Sequence, residues 1–158
     1  METAGISDIQ KELKELSTKE LVSICIRLGK YKNENKELLS YLLFKSSNEA
    51  AFIKTIKEET EIEFKDVNRT NMYQAKKTIR KILRKVNKYS KISGQSTTEL
   101  ELRIHYCSVL KSSGIPFQKS AVLQNLYVNQ LKKIESILGK LHEDLQFDYV
   151  EPVEALRK

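Results

Sequence analysis

The sequence contains few of the residues that interrupt helices or build tight turns. Among its 158 residues are five glycines and two prolines, and tryptophan is absent. This composition, rich in Lys, Glu and Leu, argues against a turn-rich β fold and favours helices. The length is typical of about one domain, so we expect a single helical domain over residues 1–158.

Cysteines and long apolar runs are also scarce. The two cysteines, Cys25 and Cys107, lie far apart on apolar helix faces, so we expect two buried thiols in a reducing compartment and no disulfide. No apolar run approaches the ~18 residues that a membrane span needs, and the N-terminus lacks the apolar stretch of a signal peptide. We therefore expect a cytoplasmic protein without a membrane span.

The small number of histidines limits catalysis and metal binding. His142 precedes three acidic residues, but on a helix these diverge, and neither an HExxH nor an ExxH spacing is present. His105 lies on the polar arc of an apolar helix, which favours a hydrogen-bonded boundary residue. We also find no GxSxG motif and no glycine-rich phosphate loop. We expect no catalytic residue, metal or cofactor, although a catalytic site built from residues distant in the chain stays open.

Apolar residues recur at helical spacing along almost the whole chain. In the second helix we expect Leu21, Ile24, Cys25 and Leu28 to face inward. Capping patterns at STKE (17–20) and SSNE (46–49) mark helix starts, and Gly114 is placed for a left-handed cap. The pattern predicts helices near 6–16, 18–29, 34–44, 47–67, 71–91 and 96–111, and a long last helix near 120–146.

The sixth predicted helix, near 96–111, has apolar residues around more than half of its circumference, so we expect it at the centre of the domain. The long last helix carries apolar residues at alternating steps of four and three, as in coiled coils. These features predict an all-α protein, a compact bundle of six or seven helices with a long C-terminal helix. A HEAT-like helical array is the alternative.

One segment carries the whole positive excess of the chain. The net charge is +7, yet residues 74–93 contain eight Lys or Arg and no acid. Without these eight, the chain has 20 basic and 21 acidic residues. On a helical wheel the eight cations cover one side and the apolar residues of the segment cover the other. Like charges four residues apart cost a few tenths of a kcal/mol each, so an acid-free face points to an anionic partner.

Two interpretations of this face remain open. In the first, the acids of residues 58–66 lie beside Lys76, Lys77 and Arg80 and neutralise them within a helical hairpin. In the second interpretation, the later cations bind a partner, because they lie opposite residues 46–54, where fewer acids occur. The candidate partner-binding residues, for an acidic protein or a nucleic acid, are Lys77, Lys81, Arg84, Lys85, Lys88 and Lys91. A membrane surface suits the segment least, because no Trp or Phe rims the face.

Three stretches carry a likeness to other proteins: LSTKELVSICIRLGKYKNENKELLSYLLF, GIPFQKSAVLQNLYVNQLKKI and LHEDLQFDY. Across most of its length the chain resembles an uncharacterised bacterial all-helical protein family of unknown function. The resemblance implies a helical fold and a bacterial cytoplasmic protein. It transfers no functional residue. From the residues themselves we expect a non-enzymatic interaction or scaffold module that presents a basic helix, with nucleic-acid binding as the alternative and an enzyme as the least favoured one.

Overall fold

The computed structural model describes residues 2–158, and within that range the protein is all-α, as predicted. These residues form eight α-helices and a single turn of 3-10 helix, and no strand occurs among them. The helices are α1 (Ile6–Lys14), α2 (Thr18–Tyr31), α3 (Asn33–Phe44), α4 (Glu49–Lys65), α5 (Met72–Ser93), α6 (Ser96–Ser112), α7 (Ala121–Leu138) and α8 (Glu143–Arg157), with the 3-10 turn at Phe117–Lys119.

The chain divides into two compact units, which we describe separately. The first unit is Met1–Lys45 and contains α1 to α3, and the second is Ser46–Lys158 and contains α4 to α8. The single domain expected from the chain length remains a prediction.

The first unit is built around the antiparallel pair α2 and α3. A capping box starts α2, as the STKE pattern predicts: the Ser17 hydroxyl accepts from the Glu20 amide, and the Glu20 carboxylate accepts from the Ser17 amide at 2.9 Å. The prediction that Ile24, Cys25 and Leu28 are buried is wrong, since all three are exposed. Two paired helices cover only the side that they share, and the remaining apolar side chains stay at the surface.

In the second unit α6 is the central helix, which confirms the prediction from its apolar circumference. It packs against α4, α5, α7 and α8. Seven of its residues are buried: Thr98, Leu100, Leu102, Arg103, Tyr106, Cys107 and Leu110. Cys107 is buried, as predicted, and burial raises the pKa of its thiol to about 12.

The predicted long helix near 120–146 is two helices. The first, α7, ends at Leu138 with Gly139 as its C-cap, and the His142 side chain accepts from the Asp144 amide at the start of α8. Glycine is unfavourable inside a helix, and a capping side chain favours the start of a new helix. Together they divide the predicted long helix in two. Helix α8 buries Val153 and Leu156 within the second unit.

Among residues 2–158 we find no helix with both the length and the apolar character that crossing a membrane requires.

Candidate anion-binding surface

Helix α5 is fixed in orientation by its caps and its apolar face. The Asn71 side chain accepts from the amides of Tyr73 and Gln74, and Gly94 ends the helix in the left-handed conformation at φ 69°. Its buried residues are Ala75, Ile79, Ile82, Val86 and Ser90. The opposite face, which carries the cations, therefore points away from the core.

Five cations on this outer face are exposed. Within residues 2–158, none of them takes part in an ion pair or a side-chain hydrogen bond: Lys77, Arg80, Lys81, Arg84 and Lys91. Lys77 and Lys91 lie about 21 Å apart along the helix axis, at ~1.5 Å per residue. The outer face is thus an open row of positive charge.

Lys85 is not part of this open row. Its ammonium group lies 2.6 Å from Glu59 and 2.5 Å from Glu63 on α4. Burial works to lower the pKa of Lys85, but the two carboxylates outweigh burial and raise it. The expected pairing of the 58–66 acids with Lys76, Lys77 and Arg80 is therefore wrong. Glu59 and Glu63 meet a lysine later in α5 instead.

Lys88 also differs from the open row. It is half-exposed and its ammonium group lies 5.8 Å from the centre of the Tyr89 ring. Of the six predicted candidates, Lys77, Lys81, Arg84 and Lys91 are exposed, whereas Lys85 and Lys88 are engaged within the protein.

A groove of about 690 Å³ between α5 and α7 extends the cationic face. Its lining contains no acidic residue: Arg80, Leu83, Val122, Asn125, Leu126, Asn129, Gln130, Lys132 and Lys133. Arg80 belongs both to the outer face of α5 and to this groove. We call the seven cations together the basic surface: Lys77, Arg80, Lys81, Arg84, Lys91, Lys132 and Lys133.

Sequence reasoning missed Lys132 and Lys133, but a signal for them exists. The chain has two long stretches without Asp or Glu, residues 67–98 and 102–134. The first contains α5 and the second ends with the adjacent pair Lys132 and Lys133. Comparing acid-free stretches, rather than counting cations alone, would have linked the two helices.

A buried arginine on α6 donates a hydrogen bond to Gln130, one of the residues that line the groove. The Arg103 guanidinium donates to Glu99 at 2.8 and 2.6 Å, and to the Gln130 side chain at 2.6 Å. Arg103 and Gln130 are 5% and 4% exposed. The interaction joins α6 to α7, and it positions α7 beside α5.

A second groove of the unit lies between α4 and α6, and residues of both charge signs line it. His105 Nε2 lies 3.2 Å from the Lys57 carbonyl oxygen and 3.3 Å from Glu61, as predicted for a hydrogen-bonded boundary histidine. Burial lowers the pKa of His105, although Glu61 opposes the shift. Lys57 in turn pairs with Glu101 at 2.7 Å. Lys57 and Glu61 on α4 thus each contact a side chain on α6.

Comparisons with known proteins add no functional information. No protein-family model, curated protein or solved structure matches this chain. Within residues 2–158 no cluster of three or more His, Cys, Asp or Glu side chains is arranged to hold a metal ion.

Proposed function

We propose that this protein is a non-enzymatic binding module that holds an anionic macromolecule on its basic surface. The observation that supports this proposal most strongly is the row of exposed cations on α5 without ion pairs in the described part of the chain. A surface that served only for solubility would gain a few tenths of a kcal/mol per pair by mixing acids among these cations. The sequence of α5 contains no Asp or Glu.

Nucleic acid is the anionic partner that a further observation favours. The groove between α5 and α7 adds the Asn125 and Asn129 side chains and two lysines to the row, without any carboxylate. Amide and cationic groups on two adjacent helices suit a phosphate backbone, because side-chain amides, Lys and Arg all donate to phosphate oxygens. The ~21 Å row on α5 is long enough to contact several phosphates. An acidic protein segment is the alternative partner.

We also propose that the protein works in the cytoplasm and has no catalytic role. Cys25 is an exposed free thiol, which suits a reducing compartment. His105, the more buried of the two histidines, already bonds through Nε2 to the Lys57 carbonyl oxygen. The proposal does not need it as a base.

Charge reversal tests the proposal directly. The triple variant Lys77→Glu, Lys81→Glu, Arg84→Glu lowers the net charge from +7 to +1 and leaves the core face of α5 unchanged. A matched control, Arg27→Glu, Lys119→Glu, Lys140→Glu, has the same net charge and changes exposed cations elsewhere. We expect the basic-surface variant to lose retention on heparin and binding to single-stranded DNA, and the control to keep most of both. Equal losses would show a general charge effect, and equal retention would remove the basic surface from the function.

Poly-glutamate separates the two partner classes. If the partner is a nucleic acid, wild-type protein binds DNA much more tightly than poly-glutamate of similar charge, because the groove then contacts the sugar–phosphate backbone in addition to attracting its charge. Comparable binding of both polymers would favour an acidic protein.

A further inference from the structure

The first unit has an apolar groove on its α2–α3 pair. It has a volume of about 560 Å³, and its apolar lining is Ile26, Gly29, Leu39, Leu43 and Phe44. Gly29 lets the two helices approach closely, since a Cβ atom there would lie 3.0 Å from the Leu39 side chain. Ile26, Leu43 and Phe44 are 54%, 69% and 77% exposed. Exposed apolar side chains that line one groove offer a surface on which an apolar partner can be buried.

The polar rim of this groove has one sign of charge. Lys30, Lys32 and Lys36 line it together with Asn33 and Ser40, and no acid does. A partner that fills the groove therefore needs an apolar anchor with carboxylates around it.

Helix α8 carries such a surface on its outer face. Phe147 is 81% exposed, whereas Val153 and Leu156 on the other side of the helix are buried. At ~100° per residue, Glu143, Glu151 and Glu154 lie within about 40° of Phe147 on the helical wheel. Asp144 lies about 60° from Phe147 and extends the same face. Val150, 44% exposed, adds apolar area beside the phenyl ring. The outer face is an aromatic anchor surrounded by negative charge.

We infer that the α2–α3 groove of one copy of this protein binds the α8 outer face of a second copy. Phe147 enters the space lined by Leu39, Leu43 and Phe44, and the surrounding glutamates meet the lysine rim. An amphipathic helix lying in an apolar groove is a common mode of recognition, and a central aromatic anchor supplies much of its affinity. Both surfaces are exposed in the single chain, so each is accessible to another copy.

Such an interface joins two different surfaces. The groove of one copy accepts α8 of the next, while its own α8 remains open to a third copy. Association therefore proceeds head to tail, and it ends only when a ring closes. Because the two surfaces have opposite charge, high salt weakens the contact.

Sedimentation velocity over a range of protein concentrations at low salt tests the inference. We expect the mass of the wild type to rise above that of the 18.3 kDa monomer as concentration increases. Phe147→Ala weakens this association by about tenfold or more, and Leu43→Glu, which places a carboxylate in the groove, abolishes it. Both residues are largely exposed, so neither change disturbs the core. Tyr73→Ala, an aromatic residue 73% exposed on α5, is the control and leaves the association unchanged.

Mixing the two variants gives the sharper result. Leu43→Glu protein keeps an intact α8, and Phe147→Ala protein keeps an intact groove. Each is monomeric alone at a concentration where the wild type associates, and an equal mixture forms a dimer through the one remaining complementary contact. A monomeric wild type at all concentrations would overturn the inference. Association that survives Phe147→Ala but not Leu43→Glu would also overturn it, because the groove would then pair with itself.

Discussion

The two units differ in how far their apolar side chains are buried, although the apolar patterns of their helices are similar. In Ser46–Lys158 side chains such as Ile82, Leu110 and Ile134 are 0% exposed, whereas in the described part of Met1–Lys45 only Tyr41 is buried, and Val22 and Leu28 remain 56% and 53% exposed. Both units have amphipathic helices of ordinary length. The difference lies in the number of neighbours, since α6 has four packed helices around it and α2 has α3. Burial therefore depends on how many helices enclose a face, and periodicity reports only that the face exists.

The largest expected effect is on the free energy of unfolding, when an apolar side chain is shortened in each unit. Leu110→Ala removes a side chain that is 0% exposed and lies on the central helix α6, so it should lower the free energy of unfolding by about 2–5 kcal/mol. Val22→Ala in the first unit should change it by less than about 0.5 kcal/mol, because that side chain is mostly in water. Urea denaturation followed by circular dichroism measures both. Similar costs would show that the first unit has a core as tightly packed as that of the second.

A smaller but still large effect is expected at the buried arginine of the second unit. Arg103→Leu removes the donors to Glu99 and Gln130, and leaves the 4%-exposed Gln130 side chain without its partner. We expect a loss of about 2–3 kcal/mol, since hydrogen bonds to charged groups are worth more than neutral ones. The double variant Arg103→Leu, Gln130→Leu should recover part of this loss. If the single variant is as stable as the wild type, the arginine is not what holds α6 to α7.

The smallest expected effect concerns the start of α2. Ser17→Ala removes the capping hydroxyl and should destabilise this helix by about 1 kcal/mol. Amide hydrogen exchange is the suitable measurement, and it should be faster in α2 and unchanged in α6. Uniformly faster exchange across both units would show that they unfold together.

The same cap predicts a pH dependence confined to α2. The Ser17 side-chain and backbone hydrogen bonds lower the pKa of Glu20 below its ordinary value of 4.5. A lowered carboxylate pKa gives stability that is present above pH 4.5 and is lost as the pH falls through the lowered value. Protection of α2 should therefore fall with acid in the wild type, and less so in Ser17→Ala.

Much of the fold could be predicted from the sequence because local signals agree with it. The capping box of Ser17 and Glu20 and the left-handed Gly114 at φ 73° are found where the pattern placed them. The division of 120–146 into two helices was not predicted, because the apolar seam continues across Gly139 and hides the break. The spacing of apolar residues indicates that a segment is helical, but it does not show where one helix ends and the next begins.

The candidate site could be predicted only in part, for a related reason. The cationic face of α5 is local information, and its exposure followed from its apolar opposite face. The pairing of Lys85 with Glu59 and Glu63 depends on the register between two helices, which residues 66–71 set. The contribution of Lys132 depends on the packing of α7 beside α5, which no spacing within one helix encodes.

The salt dependence of nucleic-acid binding tests the central claim most directly. Neutral variants are needed here: Lys77→Gln, Lys81→Gln, Arg84→Gln against the control Arg27→Gln, Lys119→Gln, Lys140→Gln. For single-stranded DNA, a plot of log Kobs against log salt concentration should lose about 2 units of slope in the first variant, at ~0.7 per phosphate contact. The control should keep the wild-type slope. Equal slopes in all three proteins would contradict the assignment of DNA contacts to α5.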